Sequence, residues 1–167
     1  MPYRNRVFVS FDGDNDIHYY RLMRAWKQND NSPFYFIDAH DLNTALDTSS
    51  EETIKRRLSE RFSNTKVLVS LIGDRTRYLY KFVRWELEQA ISRDIPIIGV
   101  NLNGWRMRDD DRCPPVIRDA LVMYVSYRPA ILQYALENWP RQYLDLRAQH
   151  KTGPYYYRDQ TYTNLGL

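Results

Sequence analysis

The residue best placed to do chemistry is Glu86, in the run Lys81-Phe82-Val83-Arg84-Trp85-Glu86-Leu87-Glu88-Gln89-Ala90. It follows a strand-like stretch, residues 67–72, and a polar turn, Gly73-Asp74-Arg75-Thr76. Wound as a helix over residues 79–93 at 100° per residue, Leu79, Val83, Leu87, Ala90 and Ile91 form one apolar stripe. Glu86 falls at the edge of that stripe and Glu88 points toward water. A carboxylate there is expected to be partly desolvated. The plain alternative is a solvated side chain, or one paired with Arg75, Arg77 or Arg84.

Other candidate groups carry weaker signals. Asp12-Gly13-Asp14-Asn15-Asp16 is acidic, as in a phosphoacceptor receiver domain. A receiver also needs a lysine after the fifth strand, where this chain has Ser126-Tyr127-Arg128. A calcium loop would need a glycine at its sixth position and a closing glutamate, and both are missing. His18, His40 and His150 lack zinc spacing. Cys113, before Pro114-Pro115, reads as an exposed thiol. Only Gly13 follows the first strand, so no dinucleotide-binding glycine fingerprint is present.

The elements that must position these groups alternate between strand and helix. Strands are expected at residues 6–11, 34–37, 66–72, 95–102 and 121–126. A helix capped by Asn15 or Asp16 runs to about Gln28, with Tyr19, Leu22, Met23 and Trp26 inward. Ser49 and Glu52 form a capping box for a second helix bearing Ile54, Leu58 and Phe62. A short helix is expected over residues 116–120, and a last one over 129–139, with Pro129 in its first turn. From Pro140 onward no period is visible. This order implies an α/β fold, a flavodoxin-like three-layer sandwich on a five-stranded parallel sheet of order 2-1-3-4-5. Ligands of such sheets bind at the switch point between strands 1 and 3. There, residues 11–16, 38–48 and the Gly73 turn converge.

The 167 residues suit one domain, residues 1–139, with a tyrosine-rich tail, residues 140–167. The hydrophobic content of 43% supports a packed core. A net charge of +3 argues against a nucleic-acid partner. No signal peptide is visible, and no apolar run approaches the ~20 residues that cross a bilayer. With one cysteine, the natural compartment is a reducing cytoplasm. Tyr143, Tyr155, Tyr156, Tyr157 and Tyr162, near Arg147 and Arg158, suit either a protein interface or a tail folded over its own domain.

Five segments in order carry a resemblance: Val7-Phe8-Val9-Ser10-Phe11-Asp12-Gly13-Asp14-Asn15-Asp16; Ser32-Pro33-Phe34 with Ile37-Asp38; Val67-Leu68-Val69-Ser70-Leu71-Ile72-Gly73-Asp74-Arg75-Thr76; Val83-Arg84-Trp85-Glu86-Leu87; and Ile95-Pro96-Ile97-Ile98-Gly99-Val100. Over roughly residues 6–102 the chain resembles the TIR-like family related to Thoeris anti-phage defence proteins. The resemblance implies an enzyme that cleaves the nicotinamide–ribose bond of NAD and makes an ADP-ribose-derived, in some cases cyclic, signal. NAD would then be a substrate held in a cleft, with no cofactor and no metal. In the family's W-x-x-x-E pattern Phe82 takes the tryptophan position and Glu86 the catalytic one. Phe11, Asp12, Asp38 and Phe82 would border the substrate. Self-association and a downstream effector that senses the nucleotide are the implied partners. The rival is a non-catalytic module of the same fold that only assembles with other proteins. The enzyme needs Glu86 to face a cleft lined by the loops after strands 1 and 2.

Overall fold

The computed structural model describes residues 5–29, the backbone of 37–38, and 50–167. In chain order the elements are β1 (Arg6–Ser10), α1 (Ile17–Gln28), β2 (Ile37–Asp38), α2 (Glu51–Phe62), β3 (Val67–Ile72), α3 (Phe82–Ser92), β4 (Ile97–Asn101), β5 (Val122–Ser126), α4 (Pro129–Ala148), β6 (Pro154–Tyr156) and α5 (Asp159–Asn164). The sheet order is β2-β1-β3-β4-β5-β6 and every pairing is parallel. The expected flavodoxin-like order is present, and β6 adds a sixth strand from the tail. The expected loop over 39–48, with His40, the strand residues 34–36 and Ser49 lie outside the described residues.

Both faces of the sheet are covered, which is why its strands are nearly continuous apolar runs. Val7 and Val9, Val67, Val69 and Leu71, Ile98 and Val100, and Met123 and Val125 face a cluster completed by α1, α4 and Tyr162. The alternate residues, Phe8, Leu68, Ile72, Ile97, Val122 and Tyr124, face a second cluster under α2 and α3.

Gly99 is required on this second face. A Cβ there would lie 2.7 Å from Cδ1 of Tyr124. That ring cannot step aside, because its hydroxyl sits 3.3 Å from Cys113 Sγ and 3.4 Å from the Ile117 carbonyl. Gly99→Ala is therefore expected to cost about 2 kcal/mol by overpacking, read as a lower urea midpoint at unchanged slope. The same contacts correct the reading of Cys113, which is fully buried, with burial pushing its thiol pKa up.

Several expected boundaries move. Ser50, one residue later than expected, caps α2, accepting a hydrogen bond from Thr53 N at 3.2 Å. On α1 the buried residues are Tyr20 and Met23, while Leu22 is exposed. The turn over Thr76–Tyr78 is a short 3-10 helix that delays α3 to Phe82, so Leu79 precedes the helix. A second 3-10 turn, Pro115–Ile117, replaces the expected helix over 116–120. The largest change is α4, which continues through Pro140 to Ala148. Proline removes one helix hydrogen bond. Here the apolar spacing Leu132, Leu136, Trp139, Tyr143 carries straight across it, and all four are buried. Tyr143, Tyr157 and Tyr162 are likewise buried in their own chain, and Tyr156 is exposed.

Candidate active site

Strand β1 runs apolar until Ser10, whose side chain shares the second face with Phe8. Helix α3 lies over that face and turns Val83, Glu86, Leu87 and Ala90 inward. Ser10 Oγ donates to Glu86 Oε2 at 2.5 Å, a short hydrogen bond. Glu86 is 6% exposed, so it sits within the buried face of α3, and Ile91, expected in the stripe, is the exposed residue. The registers Ser10↔Ser70 and Ser70↔Gly99 place a row of small residues across the sheet beneath the carboxyl.

This setting controls the proton on Glu86. Burial pushes its pKa up to about 8, against the pull of the Ser10 hydrogen bond and the Arg61 charge. The expected partly desolvated carboxylate is thus an almost fully desolvated one. The arginines weighed as its partners are occupied elsewhere or exposed. Arg84 pairs with Glu88 at 2.8 Å, Arg77 donates to the Asp111 carbonyl at 2.6 Å, and Arg75 is exposed.

The other expected site residues separate. Phe82 opens α3, half-buried and one helical turn before Glu86, with Trp85 turned away to meet the Phe62 ring edge-on at 6.1 Å. Phe11 lies on the opposite face, stacked on Tyr20 at 4.7 Å. Asp12 is spent on its own loop: its carboxylate accepts from Asp14 N at 3.0 Å, Asn15 N at 3.3 Å and Asn15 Nδ2 at 2.7 Å. The backbone of Asp38 pairs with Val7, and its side chain lies outside the described residues. The structure therefore joins Glu86 with Ser10 and Phe82 on one face, while Phe11 packs on the opposite one and Asp12 is bonded within its own loop.

Two serines at this end of the sheet are not singled out by the sequence, and Asp16, expected as a helix cap or part of an acidic loop, takes a different place. Ser10 and Ser70 sit inside apolar strands, where counting alternate positions would have put both on the α3 face. Ser70 Oγ is buried without a hydrogen-bond partner among the described residues. Asp16 is 7% exposed and its Oδ2 also lacks a partner. It precedes α1 without making a side-chain cap bond, and its carboxyl packs so closely on Gly73 that no Cβ would fit. Burial, then the neighbouring Asp12, raises its pKa.

Two hollows flank α3. One, of about 220 Å³, is lined by Leu79, Tyr80, Val83, Leu87, Pro114 and Pro115. The other, of about 360 Å³, is polar and includes Glu51, Lys55, Lys81, Arg84 and Glu88. Glu86 lines neither. The cleft expected between the loops after strands 1 and 2 involves residues 39–48, outside the described residues. Among the described residues no cluster of three or more His, Cys, Asp or Glu could hold a metal, and no helix is long and apolar enough to cross a membrane.

Compared with known protein families, residues 8–106 match the TIR-like domain of the Thoeris protein ThsB. No curated protein matched the chain. The matched span runs from β1 to the loop after β4 and so contains Ser10, Ser70 and Glu86 together. It covers more than half of the sequence, and the chain belongs to the family of ThsB TIR-like domains of Thoeris systems.

Proposed function

We propose that the chain is an NAD-consuming enzyme of anti-phage defence, which breaks the nicotinamide–ribose bond and makes an ADP-ribose-derived signal for a downstream effector. The observation that carries this reading is Glu86, a buried carboxyl bonded to the last residue of β1 at the switch point of the sheet. Nicotinamide leaves as a neutral group, so the reaction needs no acid to protonate it. The demanding step is the positive oxocarbenium character on the ribose, as in glycoside hydrolysis. A carboxylate fixed where water is scarce stabilises that charge far more than one in bulk solvent.

The high proton affinity of Glu86 fits a substrate-driven step. The nicotinamide ring of NAD carries a positive charge, and such a charge beside a carboxyl favours its ionised form. Substrate arrival would thus help to charge Glu86. Which nucleophile then reaches the ribose decides between free ADP-ribose and a cyclic product. Phe82, one helical turn before Glu86, and Asp38 are proposed as substrate neighbours. Phe11 and Asp12, in their described positions, serve the loop and the opposite core.

The second reading is an assembly module without catalysis. It is favoured by the near-complete burial of Glu86 against Ser10, which a purely structural side chain would also show. Mass spectrometry of nucleotides separates the two, using cells that express the wild type or Glu86→Gln, with and without phage challenge. The enzyme is expected to deplete NAD and yield a new ADP-ribose-derived species in the wild type alone. Identical profiles in all samples would favour the module.

A further inference from the structure

We propose that Ser10 and Ser70 act together as positioning residues for Glu86, two neighbouring hydroxyls that fix its carboxyl and supply the donors its negative charge requires. The proposal rests on the reading of Glu86 as the reacting carboxylate. Ser10 already donates to Oε2 at 2.5 Å. Ser70 is the register partner of Ser10 on the adjacent parallel strand, so the two side chains share one face about 5 Å apart. Ser70 is fully buried and its hydroxyl has no partner. Buried hydroxyls are normally satisfied, so the Ser70 hydroxyl, unpartnered among the described residues, needs an explanation; on this proposal it is a donor held for the ionised state of Glu86. A protonated Glu86 needs one partner. An ionised one is acceptor-only and can take several donors, and on this proposal the Ser70 hydroxyl is the second of them.

Among the described residues, the charged surroundings of Glu86 are few. On α2, Arg61 contributes a favourable charge. On α3 itself, Arg84 and Glu88 pair with each other at the surface. Against Glu86, β1 presents Phe8 and Ser10, with Arg6 exposed at its far end, and β3 presents Leu68, Ser70 and Ile72. The 3-10 turn Pro115–Ile117, also against α3, has no ionisable side chain.

The test is a pH titration of the intact protein by NMR, with the glutamate side-chain carboxyl carbons labelled and Glu86→Gln used to assign the signal. Ser10→Ala is expected to raise the Glu86 midpoint by about one pH unit, a tenfold gain in proton affinity. Ser70→Ala is expected to raise it by about half as much, because its donor is engaged only in the ionised state. A change that is purely structural would leave the midpoint in place. A midpoint that stays put or falls in either variant overturns the proposal for that serine. Ser70→Ala removes a hydroxyl without a partner, so the fold does not depend on it and the result is readable even if Ser10→Ala fails to fold. The titration needs no NAD turnover. Midpoints that move as expected in a protein whose expression leaves cellular NAD unchanged, with and without phage challenge, would sink the enzyme reading and leave the positioning role standing.

Discussion

Glu86→Gln is expected to cut NAD cleavage by about a thousandfold, as removal of a fixed electrostatic stabiliser does elsewhere, while making the protein more stable. The two effects share one cause. The folded protein holds the Glu86 proton up to about pH 8, against 4.5 for an ordinary glutamate. Between those values the native state binds more protons than the unfolded chain, so stability falls as pH rises. Below 4.5 both states are protonated and nothing is lost; above 8 both are ionised and the loss is complete. At pH 7 the loss attributable to Glu86 is about 3 kcal/mol. Glutamine has nearly the shape of the protonated acid and cannot ionise. Urea unfolding at several pH values should show the variant gaining on the wild type from about pH 5 to 8, then holding a constant lead. A stability difference that does not vary with pH would mean that Glu86 titrates normally.

Trp139→Ala is expected to be the most damaging single change to the fold, costing about 3–5 kcal/mol. Trp139 is fully buried, the largest side chain so enclosed among the described residues. It meets Tyr143 of α4 at 6.1 Å and Tyr155 of β6 at 5.9 Å, so it joins the helix to the added strand. Domains of this size are stable by about 5–15 kcal/mol, and the loss would consume a large share of that. The indole nitrogen is buried without a hydrogen-bond partner, so Trp139→Phe should cost much less than alanine. Urea midpoints of the two variants decide it. A Phe variant as unstable as the Ala variant would show that the nitrogen has a role in the native fold.

The core of the fold was readable because alternation and apolar runs report burial directly. Strands β1, β3, β4 and β5 stand within two residues of their expected ends. Helix α4 was misjudged because Pro140 is a strong local stop signal, and burial of Tyr143 beyond it is a tertiary effect. Strand β6 was invisible for a related reason. Its three residues are held by pairing with β5, from Val122↔Pro154 to Tyr124↔Tyr156, and carry no pattern of their own. At the site, Glu86 was legible from helical spacing and resemblance. The depth of its burial was not, because that depends on how α3 rotates over β1 once Phe82 begins the helix. Ser10 and Ser70 were hidden among apolar neighbours, and only the parallel register sets them side by side.

The burial of Tyr162 has a consequence for the timing of synthesis. Its ring fills the α1 and α4 side of the core, its hydroxyl accepts from Ser126 N at 3.2 Å, and Arg106 covers it at 4.1 Å. A nascent chain that has emerged only through β4 carries Ser10, Ser70 and Glu86. It still lacks α4, β6 and α5, and so leaves Val9, Val69 and Val100 without most of their cover. Ribosomes add about 5–20 residues per second, so several seconds separate the emergence of Glu86 from that of Tyr162. Through that interval the sheet is open on one side and is a natural client for chaperones. The Glu86 site thus takes its final support from residues translated well after it.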